Sequence, residues 1–145
     1  MAEQTEASID IQASPAAVMA VIADLRAYPQ WSDGITAVDV IAEYPESGRP
    51  QEAEFKLESG PIKDTYVLKY EWDGDASVAW HLVRADMLKE MKGSYTLTEN
   101  VNGGTTVVYR LVVDVKIPMI GMLKRKAERV IVDTALKGLK KRVEG

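Results

Sequence analysis

The run IKDTYVLKYEWDGDASVAWHLVR, Ile62–Arg84, switches the side of its apolar residues at nearly every step. Tyr66, Leu68, Tyr70 and Trp72 alternate with Thr65, Val67, Lys69 and Glu71, a period of two that belongs to a half-buried strand and not to a helix. Asp73-Gly74-Asp75-Ala76 then breaks the pattern with an Asp-Gly hairpin signal. Beyond it Val78, Trp80 and Leu82 take one phase, and Ser77, Ala79, His81 and Val83 the other. Two strands joined by so short a turn pair antiparallel, because a parallel pair needs a crossover of a dozen or more residues.

The same grammar extends in both directions. Upstream, EAEFKLES (52–59) puts Ala53, Phe55, Leu57 and Ser59 on one face against Glu52, Glu54, Lys56 and Glu58. The turn PESGRP separates it from ITAVDVIAEY (35–44), a strand whose apolar residues occupy both phases and leave its inner face open. Downstream, MLKEMKGSYTLTE (87–99) is a further strand, with Gly93 marking a bend, bulge or close approach. After the turn NVNGGT, TVVYRLVVDVKIP (106–118) places Val107, Tyr109, Leu111, Val113, Val115 and Ile117 inside.

Helices flank this block. EASIDIQAS (6–14) is a first strand, and Ser14 with Pro15 then supplies an N-cap and a first-turn proline. Val18, Val21, Ile22 and Leu25 form the buried stripe of that helix, which Pro29 is expected to end, with Tyr28 and Trp31 flanking the break. From Met119 to the C-terminus runs one long helix of about six turns. One apolar stripe on it comprises Leu123, Ala127, Val130, Ile131 and Thr134, and a second comprises Val132, Leu136, Leu139 and Val143. The order is strand, helix, short helix, six strands, long helix, in one domain spanning 1–145.

Composition narrows the chemistry. The 145 residues are 46% hydrophobic and 28% charged, ordinary values for a globular domain, and no apolar run approaches a membrane span. The acidic, polar opening MAEQTEASIDIQ is unlike a signal peptide. With no cysteine, thiolate metal sites, disulfides and cysteine nucleophiles are excluded, and a cytoplasmic setting is the default. A single histidine, His81, rules out a histidine-rich metal site, and no cofactor is expected. Met1 to Pro118 holds 10 basic and 19 acidic residues, Met119 to Gly145 8 and 3, a balance unlike that of a nucleic-acid binder.

An antiparallel sheet of about seven strands must cover its apolar face, and the C-terminal helix is the one element large enough to do so. With this α+β plan the sequence resembles the START-like, or SRPBCC, superfamily and its helix-grip fold, in particular the bacterial polyketide cyclase/dehydrase and lipid transport branch. The residues that carry the resemblance are SPAAVMAVIADLRAYPQW, the Ala79-Trp80 pair, GSYTLTENVNGGTTVVYRL and IPMIGMLKRKAERVI. It implies a curved sheet wrapped around the long helix, two short helices after the first strand, and a Tyr28–Trp31 corner packed beneath the long helix. It also implies a cavity between sheet and helix for a lipid, isoprenoid or polyketide. The alternatives are a polyketide cyclase or aromatase working in the same space, and a module acting on partner proteins.

Candidate ligand contacts are the inner-phase residues Tyr66, Tyr70, Trp72, Trp80, Tyr95 and Tyr109, with Leu123, Ala127 and Val130 from the helix. Tyrosines replace phenylalanine here, six to one, and their hydroxyls suit a pocket with a few polar tips better than a dry core. Arg84, on the phase of Trp80 and Leu82, offers a bidentate donor for a carboxylate or enolate. Asp64, near a strand end, is expected to meet solvent, and His81 to face away from the interior. No catalytic residue is assigned. Basic residues Lys124, Arg125, Lys126 and Arg129 beside the apolar IPMIGML suggest weak contact of Met119 to Arg129 with an anionic membrane.

Overall fold

A computed structural model of the chain describes residues 4–59, 62–115 and 121–145, with side chains except at 59, 62 and 121–125. The elements follow the expected order: β1 (Thr5–Ile11), α1 (Pro15–Ala23), a 3-10 turn (Leu25–Ala27), α2 (Tyr28–Trp31), β2 (Ile35–Glu43), β3 (Pro50–Ser59), β4 (Ile62–Asp73), β5 (Ser77–Ala85), β6 (Leu88–Glu99), β7 (Thr105–Val115) and α3 (Gly121–Glu144). All pairings are antiparallel, in the order β1-β7-β6-β5-β4-β3-β2. Hairpins therefore carry the chain across the curved sheet from β2 to β7, and β1 returns to the far side of β7. This is the α+β helix-grip architecture.

Alternation places the core. Ala53, Phe55, Tyr66, Leu68, Tyr70, Val78, Trp80, Tyr95, Leu97, Val107, Tyr109 and Leu111 are buried on one face, where Val132, Leu136 and Leu139 of α3 meet them. Ser14 Oγ accepts from Ala17 N at 3.2 Å and caps α1, whose Val18, Met19 and Ile22 join the same core. Two ties fix α3 along β1. At one end Glu128, 2% exposed, accepts from Thr5 Oγ1 at 3.0 Å and from Val113 N at 2.8 Å. At the other, Lys140 Nζ donates to Asp10 O at 2.7 Å, and Gln12 N donates to Glu144 Oε2 at 2.9 Å.

Two expectations change, and two open readings are decided. Pro29 does not end the first helix: α1 stops at Ala23, where Asp24 leaves helical geometry at ψ 73°, and Pro29 sits in the first turn of α2, where its missing N–H costs nothing. The mixed phases of β2 have a cause, because register shifts lie between Ile35 and Ala37, between Val40 and Ala42, and between Ala42 and Glu43. Each extra residue swaps the face of those beyond it, so Ile35, Val38 and Val40 all pack on the core. On α3 Val132, Leu136 and Leu139 of the second stripe are buried and Val143 half-buried, whereas Val130 (56% exposed), Ile131 and Thr134 from the first stripe lie outside, since the sheet covers one side of the helix. Gly93 is a close approach, and the register shift of β6 falls at Leu88–Glu90 instead.

The Tyr28–Trp31 corner sits as expected. The two rings meet edge to face at 4.9 Å, and a Cβ on Gly138 of α3 would lie 3.1 Å from the carbonyl oxygen of Trp31. Glycine at 138 lets the helix rest on the corner.

Candidate functional site

Aromatic rings cover the inner face of the sheet in an unbroken chain. Phe55 stacks on Tyr66 at 5.4 Å; Tyr70 lies 5.6 Å from Trp72 and 5.9 Å from Trp80; Trp80 lies 5.3 Å from Tyr95 and 5.7 Å from Tyr109; Tyr95 and Tyr109 are 4.6 Å apart. Five strands contribute, and cross-strand pairing sets the order, with Tyr70 opposite Trp80 and Tyr95 opposite Tyr109. Tyr28 joins the layer through Phe55, 6.3 Å away. Alternation had put Phe55 inside, but nothing in the sequence brings the Tyr28 corner to it.

The phenols are kept neutral. Burial pushes the Tyr28, Tyr66, Tyr70, Tyr95 and Tyr109 hydroxyls well above the ordinary phenol range. The charge that Tyr109 would carry adds to the rise at the other four. Tyr28 Oη donates to Ile22 O at 2.6 Å. Among the described residues, the hydroxyls of Tyr66, Tyr70, Tyr95 and Tyr109 have no hydrogen-bond partner, although each side chain is buried. Each of these hydroxyls is free to donate to a group presenting an oxygen acceptor, whereas the one fully buried side-chain nitrogen or oxygen without a partner among the described residues is Trp31 Nε1.

Trp72 is differently placed. Its Nε1 donates to Pro50 O at 2.7 Å, and the Arg49 guanidinium stands over its ring at 5.3 Å, which closes this end of the aromatic layer. Of the helix candidates, Ala127 is half-buried, Val130 points outward, and the Leu123 side chain lies outside the described residues.

Arg84 does not share the face of Trp80. Val67 pairs with Arg84 but Leu68 pairs with Leu82, which makes Val83 an extra residue and rotates Arg84 to the exposed, convex side opposite Val67. Ala85 takes the inner position instead. Asp64 is buried rather than solvated. Its Oδ1 accepts from Thr65 N (2.8 Å) and Asp86 N (3.0 Å), and its Oδ2 from Met87 N (3.2 Å) and Leu88 N (2.9 Å), so this carboxylate holds the β5–β6 turn. His81 is exposed on the convex face between Lys69 and Lys92, as alternation had it.

Among the described residues no group of three His, Asp or Glu side chains is arranged to hold a metal ion. Nor is any described helix long and apolar enough to cross a membrane. Two open cavities, about 430 Å³ between β5 and β6 and about 240 Å³ beside Lys56, Asp64 and Asp86, are lined by residues other than those of the aromatic layer.

A curved antiparallel sheet gripping one long helix is the START-like helix-grip fold. The chain belongs to the family described as polyketide cyclase / dehydrase and lipid transport, whose profile matches residues 2–144. It is similar to a START superfamily protein from Mycobacterium smegmatis, at 21% identity over 97% of both chains and a TM-score of 0.90. A Thermus thermophilus protein matches at 22% identity over 97% of both chains and a TM-score of 0.80. The Zhui aromatase/cyclase from a Streptomyces species matches at 12% identity, over 99% of this chain and 94% of that one, with a TM-score of 0.75. No curated protein sequence matches the chain.

Proposed function

We propose that this protein binds a hydrophobic small molecule bearing oxygen acceptors, such as a lipid, isoprenoid or polyketide, between the sheet and α3. The observation that carries this reading is the set of buried, neutral phenols Tyr66, Tyr70, Tyr95 and Tyr109, which have no described partner on an otherwise apolar face. Rings supply contact area and hydroxyls orient the guest, the division of labour usual in a small-molecule site. On this reading the protein works in the cytoplasm, and the 119–129 segment gives it weak contact with anionic membrane.

Native mass spectrometry of gently purified protein tests the reading. A bound apolar molecule, displaced from wild type and held less well by Tyr109→Phe, is the expected result. An interior that takes up no apolar dye or fatty acid, with unchanged tryptophan fluorescence, overturns it.

A cyclase or aromatase is the second reading, favoured by the family's description and the likeness to an aromatase/cyclase fold. Neutral phenols can polarise ligand carbonyls, and a fixed pocket can fold a reactive chain. Binding is preferred because the candidate acids and base are otherwise engaged. Asp64 and Glu128 are committed to backbone N–H groups, and His81 faces outward.

A further inference from the structure

We propose that the sheet contains a second binding feature: the gap between β5 and β6 receives an amphiphile with an anionic head, its tail leading toward the interior. This rests on the interior-ligand reading above and adds the ligand's charge and its way in.

The gap is built into the strands. Pairing of β5 with β6 runs from Ser77–Thr96 to His81–Lys92 and stops there, although β5 continues to Ala85 and β6 begins at Leu88. Each strand stays in the sheet through its other neighbour: Arg84 and Ala85 pair with Val67 and Tyr66, and Glu90 and Met91 with Asp114 and Val113. Extra residues at the Val67–Leu68 shift on one side and the Leu88–Glu90 shift on the other lie along the gap. Beyond it the turn is fixed, because Asp64 accepts the N–H groups of Asp86, Met87 and Leu88. A cleft of about 430 Å³ therefore opens where a sheet would normally be closed.

Its lining has two chemistries. Leu82, Ala85, Leu88 and Met91 are inner-wall residues that belong to the core or pack against it. Arg84, Lys89 and Lys92 stand exposed on the other wall with one carboxylate, Glu90. Among the described residues none of those three cations lies within 4 Å of a carboxylate. Apolar surface continuous with the core behind a cationic rim matches a long-chain carboxylate, its head on the rim and its chain inward.

The test compares dodecanoate with dodecanol on the isotope-labelled full chain, following backbone amides and tyrosine rings by NMR. At low salt dodecanoate should shift the amides of 82–85 and 88–91 and bind about tenfold more tightly than dodecanol, equivalent to ~1.4 kcal/mol. Arg84→Glu with Lys92→Glu should lower dodecanoate affinity about tenfold, again ~1.4 kcal/mol, and leave dodecanol binding unchanged. Arg84→Lys with Lys92→Arg should keep dodecanoate binding, and both exposed pairs should preserve the amide spectrum. Equal affinity for the two probes, or indifference to charge reversal, overturns the gap site; if tyrosine rings still respond, the interior reading survives. Shifts at 82–91 without any at the tyrosines keep the anionic-head site in the gap but overturn both the inward course of the tail and the interior reading. No shift anywhere overturns both.

Discussion

The indole of Trp80 lies flat over Gly93 of the neighbouring strand, so close that a Cβ at 93 would fall 2.6 Å from Cζ2 of the ring. Gly93→Ala must push Trp80 into Tyr95 and Tyr109, which already touch it. Overpacking of this kind costs about 1–3 kcal/mol, and a denaturant titration with a shifted tryptophan emission should show it. A variant as stable as wild type would mean the ring has room to move aside.

The interior and the convex face should separate under mutation. His81→Ala is expected to leave binding of a neutral apolar dye unchanged, because the imidazole is exposed on the far side of the sheet. Tyr95→Phe or Tyr109→Phe should weaken a ligand carrying a carbonyl by about 0.5–1.5 kcal/mol, the net worth of one hydrogen bond. Isothermal titration of the three variants decides it.

Alkaline titration should reveal the buried phenols. Tyr28, Tyr66, Tyr70, Tyr95 and Tyr109 have raised folded-state values, chiefly through burial, while an unfolded phenol titrates near about 10. Above that pH the unfolded chain releases protons that the folded one keeps, so stability is intact below it and falls as pH rises. Phenolate absorbance of these five and loss of helical circular dichroism should therefore appear together. Phenolate signal from them in a fully folded protein would contradict their burial.

Glu128 should matter more than its position on a charged helix suggests. Glu128→Ala leaves Val113 N–H and Thr5 Oγ1, both part-buried, without their acceptor, at about 1–3 kcal/mol. Thr5→Ala removes one of these bonds and should cost less. Equal losses in thermal unfolding would show that the Thr5 bond, and not the Val113 one, carries the anchor.

For the 119–129 segment, which falls mostly outside the described side chains, co-sedimentation with vesicles is the measurement. Anionic vesicles at low ionic strength should retain some protein and neutral ones none, with the difference abolished by Lys124→Glu and Arg125→Glu.

Strand alternation carried most of this fold, and it failed where the alternation itself is broken. Arg84 looked like an inner residue because Trp80 and Leu82 are, and a single extra residue at Val83 reverses that; no side-chain pattern announces such a bulge. β2 was ambiguous for the same reason, and there the mixed phases were the visible trace of its irregular register. Asp64 could be numbered onto the inner phase, but its four N–H donors come mostly from a turn more than twenty residues away. On α3 both apolar stripes were readable, whereas which of them meets the sheet depends on how the helix is rolled, a tertiary fact.

The strand order has a consequence for how the chain is made. β1 is synthesised first, yet its strand partner is β7, with Thr5 opposite Leu111 and Glu128 of α3 closing on Thr5. β2 to β7 are joined by successive hairpins, contacts of short range along the chain, whereas β1 meets its partner only after β7 has been made. Through all of that β1 carries an open hydrogen-bonding edge with nothing to pair to, a ready site for misassociation. Its alternating Glu6 and Asp10 make that waiting strand self-repelling between nascent chains, so the same acidic side chains that later face solvent guard it until its partner arrives.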